Sequence, residues 1–429
     1  MTAWYVTGLF GVMYIVSYVD RLVLTLLIEP LKAQFMVGDT AVSLLIGLSF
    51  ALFYALVGLP LARLADRGNR RNLVVAGVLL WSGCTIASAW AGSFAVLAML
   101  RVGVAVGEAV LTPCAVSMIS DLFPAARRAT ATSVYVFCGT LGAFGAYVFG
   151  GLAVAAAGSS AAIALPLLGE MAPWRVVFLL VGLPGLILGL ACLATVREPP
   201  RSGRARSAAS STAELRAYLR LDGPMLSRLF AGSSLGQLLL LGLSTWTPSF
   251  LVRRFGWEVA DAGIALGCFG IAASAIGLTL IPKLANRWTL GGRKDALPIV
   301  AAATVGLPCV IIVAASFMTS GWAFLMAASI AFVPLVCSGT LAMIAIQWVG
   351  PPRLQAMLTA ILFLVNSLLA FALGPFLVSV IAEYRWFGAA DLGAAFAWTA
   401  VIAGPLGAVL LWQSRASFSR AYERAQRAG

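Results

Sequence analysis

The chain has 429 residues, of which 61% are hydrophobic and only 10% charged, and it carries a net charge of +13. A mean hydropathy of +0.97, with far fewer charges than the roughly 25% usual in soluble domains, excludes a soluble globular protein and predicts a polytopic membrane protein. Histidine is absent. The usual near-neutral proton carrier is therefore missing, and any proton coupling must rest on carboxylates.

The first apolar run, from Trp4 to about Ile28, holds Ser17, Tyr18, Val19, Asp20 and Arg21. A carboxylate beside a guanidinium at bilayer depth is costly unless the two pair or line a water-filled cavity. Asp20 and Arg21 are therefore candidate functional residues; the alternative is a self-neutralising pair that only fixes helix packing. No basic n-region or small-residue cleavage site precedes the run, so this helix is expected to stay in the mature protein.

At roughly 20 residues per crossing, spans are predicted near 4–28, 41–62, 72–92, 94–120, 129–156 and 174–196. Six more follow near 225–251, 260–283, 296–316, 319–347, 354–382 and 391–413. Between the two sets lies the one extended polar stretch, Arg197 to Arg220. Its Pro, Ser, Ala and Arg content reads as a cytoplasmic linker with a short surface helix over 213–221. The expected fold class is all-α and polytopic: a six-helix bundle over 1–196, a linker over 197–223, a second six-helix bundle over 224–414 and a cytoplasmic tail over 415–429. The connection from Gly158 to Pro173 carries only Glu170 and is placed on the outer side.

Arg63, Arg67, Arg70, Arg71, Arg127, Arg128, the linker arginines, Lys283, Arg287, Arg293, Lys294, Arg353 and the tail arginines fall in alternate connections. The other connections hold little beyond Lys32, Arg253, Arg254 and Arg385. This positive-inside bias makes the basic balance topogenic, with no nucleic-acid partner. It places both termini in the cytoplasm, and a bacterial inner membrane is the expected location. Seven cysteines, all in apolar runs without CxxC spacing, suggest neither disulfides nor a metal. Gly232 to Gly236 fits the nucleophile-elbow pattern, but no histidine can complete a triad. It is read as small residues packing a helix, and neither an enzyme nor a cofactor is expected.

Ala62-Arg63-Leu64-Ala65-Asp66-Arg67-Gly68-Asn69-Arg70-Arg71 joins spans two and three, and Leu284 to Arg287 with Gly292-Arg293-Lys294 echoes it between spans eight and nine. Like loops at corresponding places are what internal duplication leaves. The first loop resembles the G-x-x-x-D-R-x-G-R-R signature of the major facilitator superfamily, with one residue of extra spacing and Ala62 at the first glycine. The resemblance implies twelve helices in two pseudo-symmetric bundles. It also implies a conformational latch made of Asp66, Arg67, Arg70 and Arg71, joined by Asp121, Arg127 and Arg128 at the cytoplasmic end. Gly139, Gly142, Gly145, Gly150 and Gly151 resemble the antiporter glycine motif without its usual proline. Tyr18-x-Asp20-Arg21, Gly107-Glu108-Ala109 and Asp121-Leu122-Phe123-Pro124 together are similar to the spinster-like transporters, with Ser17 where asparagine is frequent. That similarity implies export of lysolipids, sphingosine-1-phosphate among them.

Helix geometry adds an independent argument. At about 1.5 Å per residue, Asp20 lies roughly 12 Å below the outer end of span one, at a depth between Arg101 and Glu108 of the antiparallel span four. Seven residues is close to two turns, so Arg101 and Glu108 share a face. Glu108 is expected as the main titrating group, Asp20 as the second and Arg21 as the switchable partner, with the alternative of a static ion-pair network. Arg101, Arg21 and Tyr18 are the candidate substrate or charge-network residues, since guanidinium suits phosphate geometry. The other half offers Gln237, Gln347, Asn366 and many aromatic residues such as Trp246 and Phe363. One charged wall facing an apolar one suits a small amphipathic or lipid substrate. The expected function is proton-coupled secondary active transport of such a solute by a monomer among membrane lipids. A symporter of small organic anions, and a non-transporting sensor or scaffold, are the alternatives.

Overall fold

The computed structural model describes residues 3–48, 51–53, 56–57, 60–61, 64, 68–158, 162–165, 169–200, 212–351, 353–385 and 391–428. Among the described residues, eleven helices are long and apolar enough to cross a membrane. With one shorter helix they are, in chain order, α1 (Ala3–Leu26), α2 (Asp39–Phe53, the shorter one), α3 (Arg70–Trp90), α4 (Phe94–Leu122), α5 (Ala126–Ala157) and α6 (Pro173–Thr195). The rest are α7 (Glu214–Phe255), α8 (Val259–Leu290), α9 (Ala296–Ser316), α10 (Gly321–Val349), α11 (Met357–Glu383) and α12 (Leu392–Arg427). Eleven of the twelve predicted spans have a helix of membrane length; the second, predicted near 41–62, has the shorter α2, and part of that stretch lies outside the described residues. The expected latch residues Asp66 and Arg67 lie outside the described residues.

Local chemistry explains where these helices begin. The Asn69 side chain accepts from Asn72 N at 2.9 Å and caps α3, and Ser93 does the same for α4 through Val96 N at 3.2 Å. Each supplies an acceptor for an N–H that has no partner inside its helix. Pro173 starts α6, where its missing N–H costs nothing. On α6, Leu180, Leu183, Ile187 and Leu190 are exposed at spacings of three and four. An exposed leucine-rich stripe of this length suits hydrocarbon, while Val177, Val181 and Gly182 turn inward.

One compact unit comprises Met1–Gly203 together with Thr247–Ile271. Its core gathers Phe10, Met13, Val78, Trp81, Met118 and Tyr135. α3 and α4 approach backbone to backbone: a Cβ on Gly107 would stand 2.6 Å from the Gly77 carbonyl oxygen. Two motif glycines of α5 pack on α1, Gly139 against the Tyr14 ring and Gly142 with room of only 3.1 Å to Ile15 Cα. Small residues here let helices close in where no hydrophobic effect drives them together. The connection after α5 forms a short antiparallel ribbon, Ile163–Leu165 with Gly169–Met171.

The other unit comprises Arg204–Trp246 with Ala272–Gly429 and is built on Leu229, Leu297, Val305, Leu341, Leu358 and Leu411. The surface helix expected over 213–221 is not separate: one helix runs from Thr212 to Phe255. Tertiary anchors hold its first turns in line. Tyr218 Oη donates to the Val349 carbonyl at 3.1 Å, and Arg424 Nη2 meets Asp222 Oδ1 at 2.5 Å. The elbow-like sequence is helix packing, with Gly232 against Leu411 and Gly407, and Gly236 against Val305 and Ser338.

Candidate functional site

In the first unit α1 and α4 bring four charges together. Arg21 donates to Glu108 Oε2 through Nη2 at 2.6 Å and Nε at 3.2 Å. Arg101 Nη2 donates to the backbone carbonyl of Asp20 at 2.8 Å. Asp20 is fully buried and Arg101 and Glu108 are each 3% exposed. The Arg21 guanidinium also sits 5.2 Å over the Tyr18 ring. Two acids and two bases leave the cluster neutral, which lets it exist at bilayer depth.

Neutrality does not satisfy every atom. Both carboxylate oxygens of Asp20, Glu108 Oε1 and Arg101 Nη1 are buried without a hydrogen-bond partner among the described residues. Asp20 and Glu108 face each other across this polar core. Two hydroxyls outside the expected set join them: Ser17 faces Glu108, and Thr85 of α3 faces Asp20 without closing a hydrogen bond. Orphaned buried polar atoms are costly in a native structure, and this cost makes the cluster a candidate functional site.

The local backbone places these groups. α4 is helical over Phe94–Glu108, turns at Ala109 and Val110, and resumes at Leu111. Pro113 accounts for the interruption, since its ring opposes the carbonyl four residues earlier, at Ala109, and it has no N–H to give. Glu108 thus ends a helical segment. On α1 the helix tightens into a 3₁₀ turn at Val23–Leu26 directly after Arg21. Pro113 was the sequence signal for the first break; Thr85 had no signal, being one hydroxyl in an apolar run.

At the start of α3 Arg70, 2% exposed, binds Asp121 Oδ2 at 2.6 Å, Ser117 Oγ at 2.8 Å, Glu198 Oε1 at 2.7 Å and the Pro199 carbonyl at 3.1 Å. Arg71 N donates to Glu198 Oε2 at 2.8 Å. Arg70, Arg71 and Asp121 thus come together as neighbours. Arg127 is exposed, and Arg128 turns back on the Phe123 carbonyl at 3.0 Å. Glu198 was read only as part of a polar linker, yet it completes this network.

A third cluster was not foreseen. Arg253, counted above as a stray outer charge, binds Asp39 through Nη1 and Nη2, both at 2.7 Å, and Glu29 through Nε at 2.8 Å. Lys32 Nζ reaches Asp39 Oδ1 at 2.5 Å. Burial alone would raise the Asp39 carboxyl, but the hydrogen bonds and charges of Arg253 and Lys32 win and hold it below the usual aspartate value. In the second unit, Ser234 Oγ donates to Asn366 and Gln237 Nε2 to Ser338, so the polar residues there are engaged with each other. Among the described residues, no group of three or more His, Cys, Asp or Glu is placed to hold a metal ion.

Eleven helices of membrane length among the described residues, with a charge cluster buried in the first unit, are those of an integral membrane protein. Residues 10–375 match the Major Facilitator Superfamily, and the chain belongs to it. An MFS-type efflux pump of Mycolicibacterium smegmatis is 27% identical over 421 residues, 97% of this chain and 94% of that one. Human protein spinster homolog 1 is 28% identical over 248 residues, 56% of this chain and 44% of that protein. The crystal structure of a bacterial homolog of the human lysosomal transporter Spinster, inward-facing and unoccupied, superposes with a TM-score of 0.78 at 26% identity, covering 99% and 98% of the two chains. The chain is a membrane transporter of this superfamily, similar to spinster proteins, and not an enzyme.

Proposed function

We propose that this chain is a proton-coupled secondary active transporter of an amphipathic, lipid-like solute, working by alternating access of two six-helix bundles joined by a cytoplasmic linker. The observation that carries the coupling is the Arg21–Glu108 pair at 2.6 Å beside an Asp20 carboxylate that has no hydrogen bond among the described residues. A buried carboxylate that gains or loses a guanidinium partner changes its affinity for a proton. Movement of Arg21 between Glu108 and Asp20 would therefore take up and release one. The substrate class is supported by the spinster relatives, one of which is the zebrafish sphingosine-1-phosphate transporter SPNS2. The termini and linker are assigned to the cytoplasm by the positive-inside bias.

A second reading has its own support. A probable L-galactonate transporter of Escherichia coli is 24% identical over 270 residues, and Arg21 with Arg101 would suit a small organic anion. Uptake into liposomes with and without an imposed pH gradient separates the two. Gradient-dependent movement of a sphingoid base or lysophospholipid, lost in Glu108→Gln, is the expected result. Movement of small organic anions instead transfers the assignment to the second reading, and unchanged coupling in Glu108→Gln removes Glu108 from it.

A further inference from the structure

At one end of the second unit three helices leave a cavity of about 460 Å³, lined among others by Tyr218 and Asp222 of α7, Gln347 and Trp348 of α10 and Arg424 of α12. That volume lies in the range of small-molecule sites. At 1.5 Å per residue α7 and α12 are about 63 and 54 Å long, well beyond the roughly 30 Å of a hydrocarbon core. The surplus of each is its charged end, with Glu214, Arg216, Arg220 and Asp222 on α7 and Arg415, Arg420, Glu423, Arg424 and Arg427 on α12. The cavity is built from those ends and so lies outside the apolar layer.

Its walls are fixed. Tyr218 Oη donates to the Val349 carbonyl at 3.1 Å, and the Trp348 ring lies 5.8 Å from that of Tyr422. Gln355 Nε2 donates to the Gln347 and Gly350 carbonyls at 3.2 and 3.1 Å. Aromatic rings already held in place offer a flat apolar body a surface at little entropic cost.

Charge selects the other half of the ligand. Asp222 is 6% exposed and is met by Arg424 Nη2 at 2.5 Å, while the Arg424 side chain is 47% exposed. One nitrogen of the guanidinium thus serves the carboxylate, and much of the fork stays within reach of a ligand. Arg420 and Arg427 stand four residues before and three after Arg424, on its helix face, and Arg353 lies on the connection that borders the cavity. The acid next to Arg424, Glu423, is taken by Lys294 at 2.8 Å. The mouth therefore carries surplus positive charge, which suits an anion and repels a cation. A planar guanidinium amid further arginines matches a phosphate better than a single carboxylate.

We propose that this cavity is a binding site for an aromatic phosphate ester, its ring against Trp348 and Tyr218 and its phosphate on Arg424. The site lies wholly within the second unit, shares no residue with the Arg21–Glu108 cluster and does not rest on the transport reading above. Isothermal titration calorimetry of the purified full chain with naphthyl phosphate tests it. Saturable binding is expected, with naphthol, cationic naphthylmethylamine and inorganic phosphate each weaker by about tenfold or more. Trp348→Ala and Arg424→Gln are each expected to weaken binding about tenfold, as loss of a stacking face or of a charge-assisted hydrogen bond does.

Asp222→Asn frees Arg424 from its carboxylate and is expected to tighten binding about threefold, a gain that impaired folding cannot imitate. Glu108→Gln is expected to bind as the parent does. Absence of saturable binding, equal affinity for the neutral or cationic analogue, or parent-like affinity in both Trp348→Ala and Arg424→Gln overturns the site. So does weaker binding in Asp222→Asn, or loss of binding in Glu108→Gln. Binding of dihexanoylphosphatidate at these residues where naphthyl phosphate fails also overturns it, since the cavity would then hold a lipid headgroup and not an aromatic ester.

Discussion

The inner and outer charge clusters of the first unit have the same composition and opposite completeness. Each contains two carboxylates and two basic groups. At the outer end each of the four charged side chains has an ion-pair partner at 2.5–2.8 Å and water is near. At the inner cluster Arg21 pairs with Glu108, while Asp20 and Arg101 keep buried atoms without partners among the described residues. A complete set fastens and gives way only when it is broken. An incomplete set in a low-dielectric setting has more than one arrangement within reach, because moving a guanidinium or a proton changes which atom goes without. Equal charge counts therefore carry different roles, and the hydrogen-bond inventory tells them apart.

The largest expected effect tests the incomplete set. Glu108→Gln keeps shape and removes the charge, so gradient-driven uptake should fall to background while the protein still purifies as a monodisperse species. Uptake at the parent rate would make the inner cluster as structural as the outer one. Next is Arg70→Met, which strands Asp121 and Glu198 of the network at the start of α3. Removing one partner of a buried charge network costs about 3 kcal/mol or more, read as a fall in the thermal unfolding midpoint in detergent. A change within error would mean that this network is screened despite its burial.

A subtler variant separates the two hydroxyls from the four charges. Thr85→Val removes only the hydroxyl that faces Asp20. It should displace the midpoint of the pH dependence of transport by about half a unit, the equivalent of a weak polar interaction with the carboxylate, and Thr85→Ser should restore it. A superimposable profile would leave Thr85 as packing. The smallest effect is on the complete set. The Asp39 carboxyl is held below the ordinary value of 3.8, so its contribution to stability is fully present above that value and is lost as pH falls through the lower native one. A shallow acid-side decline in the unfolding midpoint, absent in Asp39→Asn, is the expected result.

Much of this was legible beforehand because the membrane imposes strong rules on composition. Twelve apolar runs, the arginine bias of alternate connections and the glycines of α5 follow from bilayer thickness, insertion and close helix packing. Asp20, Arg21, Arg101 and Glu108 stood out because charge is rare in such runs. Ser117 and Thr85 did not, since a hydroxyl in a membrane helix usually bonds its own backbone and leaves no trace in composition. Glu198 and Asp39 were hidden differently: they sit in polar connections, where an acid is ordinary. The surface helix over 213–221 was misjudged as separate because Gly223-Pro224 reads as a break, while Asp222–Arg424 and Tyr218–Val349 hold the helix straight through it.

By itself the sequence determined that this chain spans a membrane many times, that it carries the loop signature of its superfamily, and which four charges lie at depth. Those properties depend on local composition and on periods of a few residues, so a linear reading reaches them. Only the tertiary structure decided the pairings: that Arg21 takes Glu108, that Arg101 holds a backbone carbonyl and not a carboxylate, and that Arg253 reaches back 214 residues to Asp39. A pairing is a matter of a few tenths of an ångström between helices distant in sequence. No local pattern specifies it, and it is the pairings that separate a closed ion-pair set from a site that can change its charge.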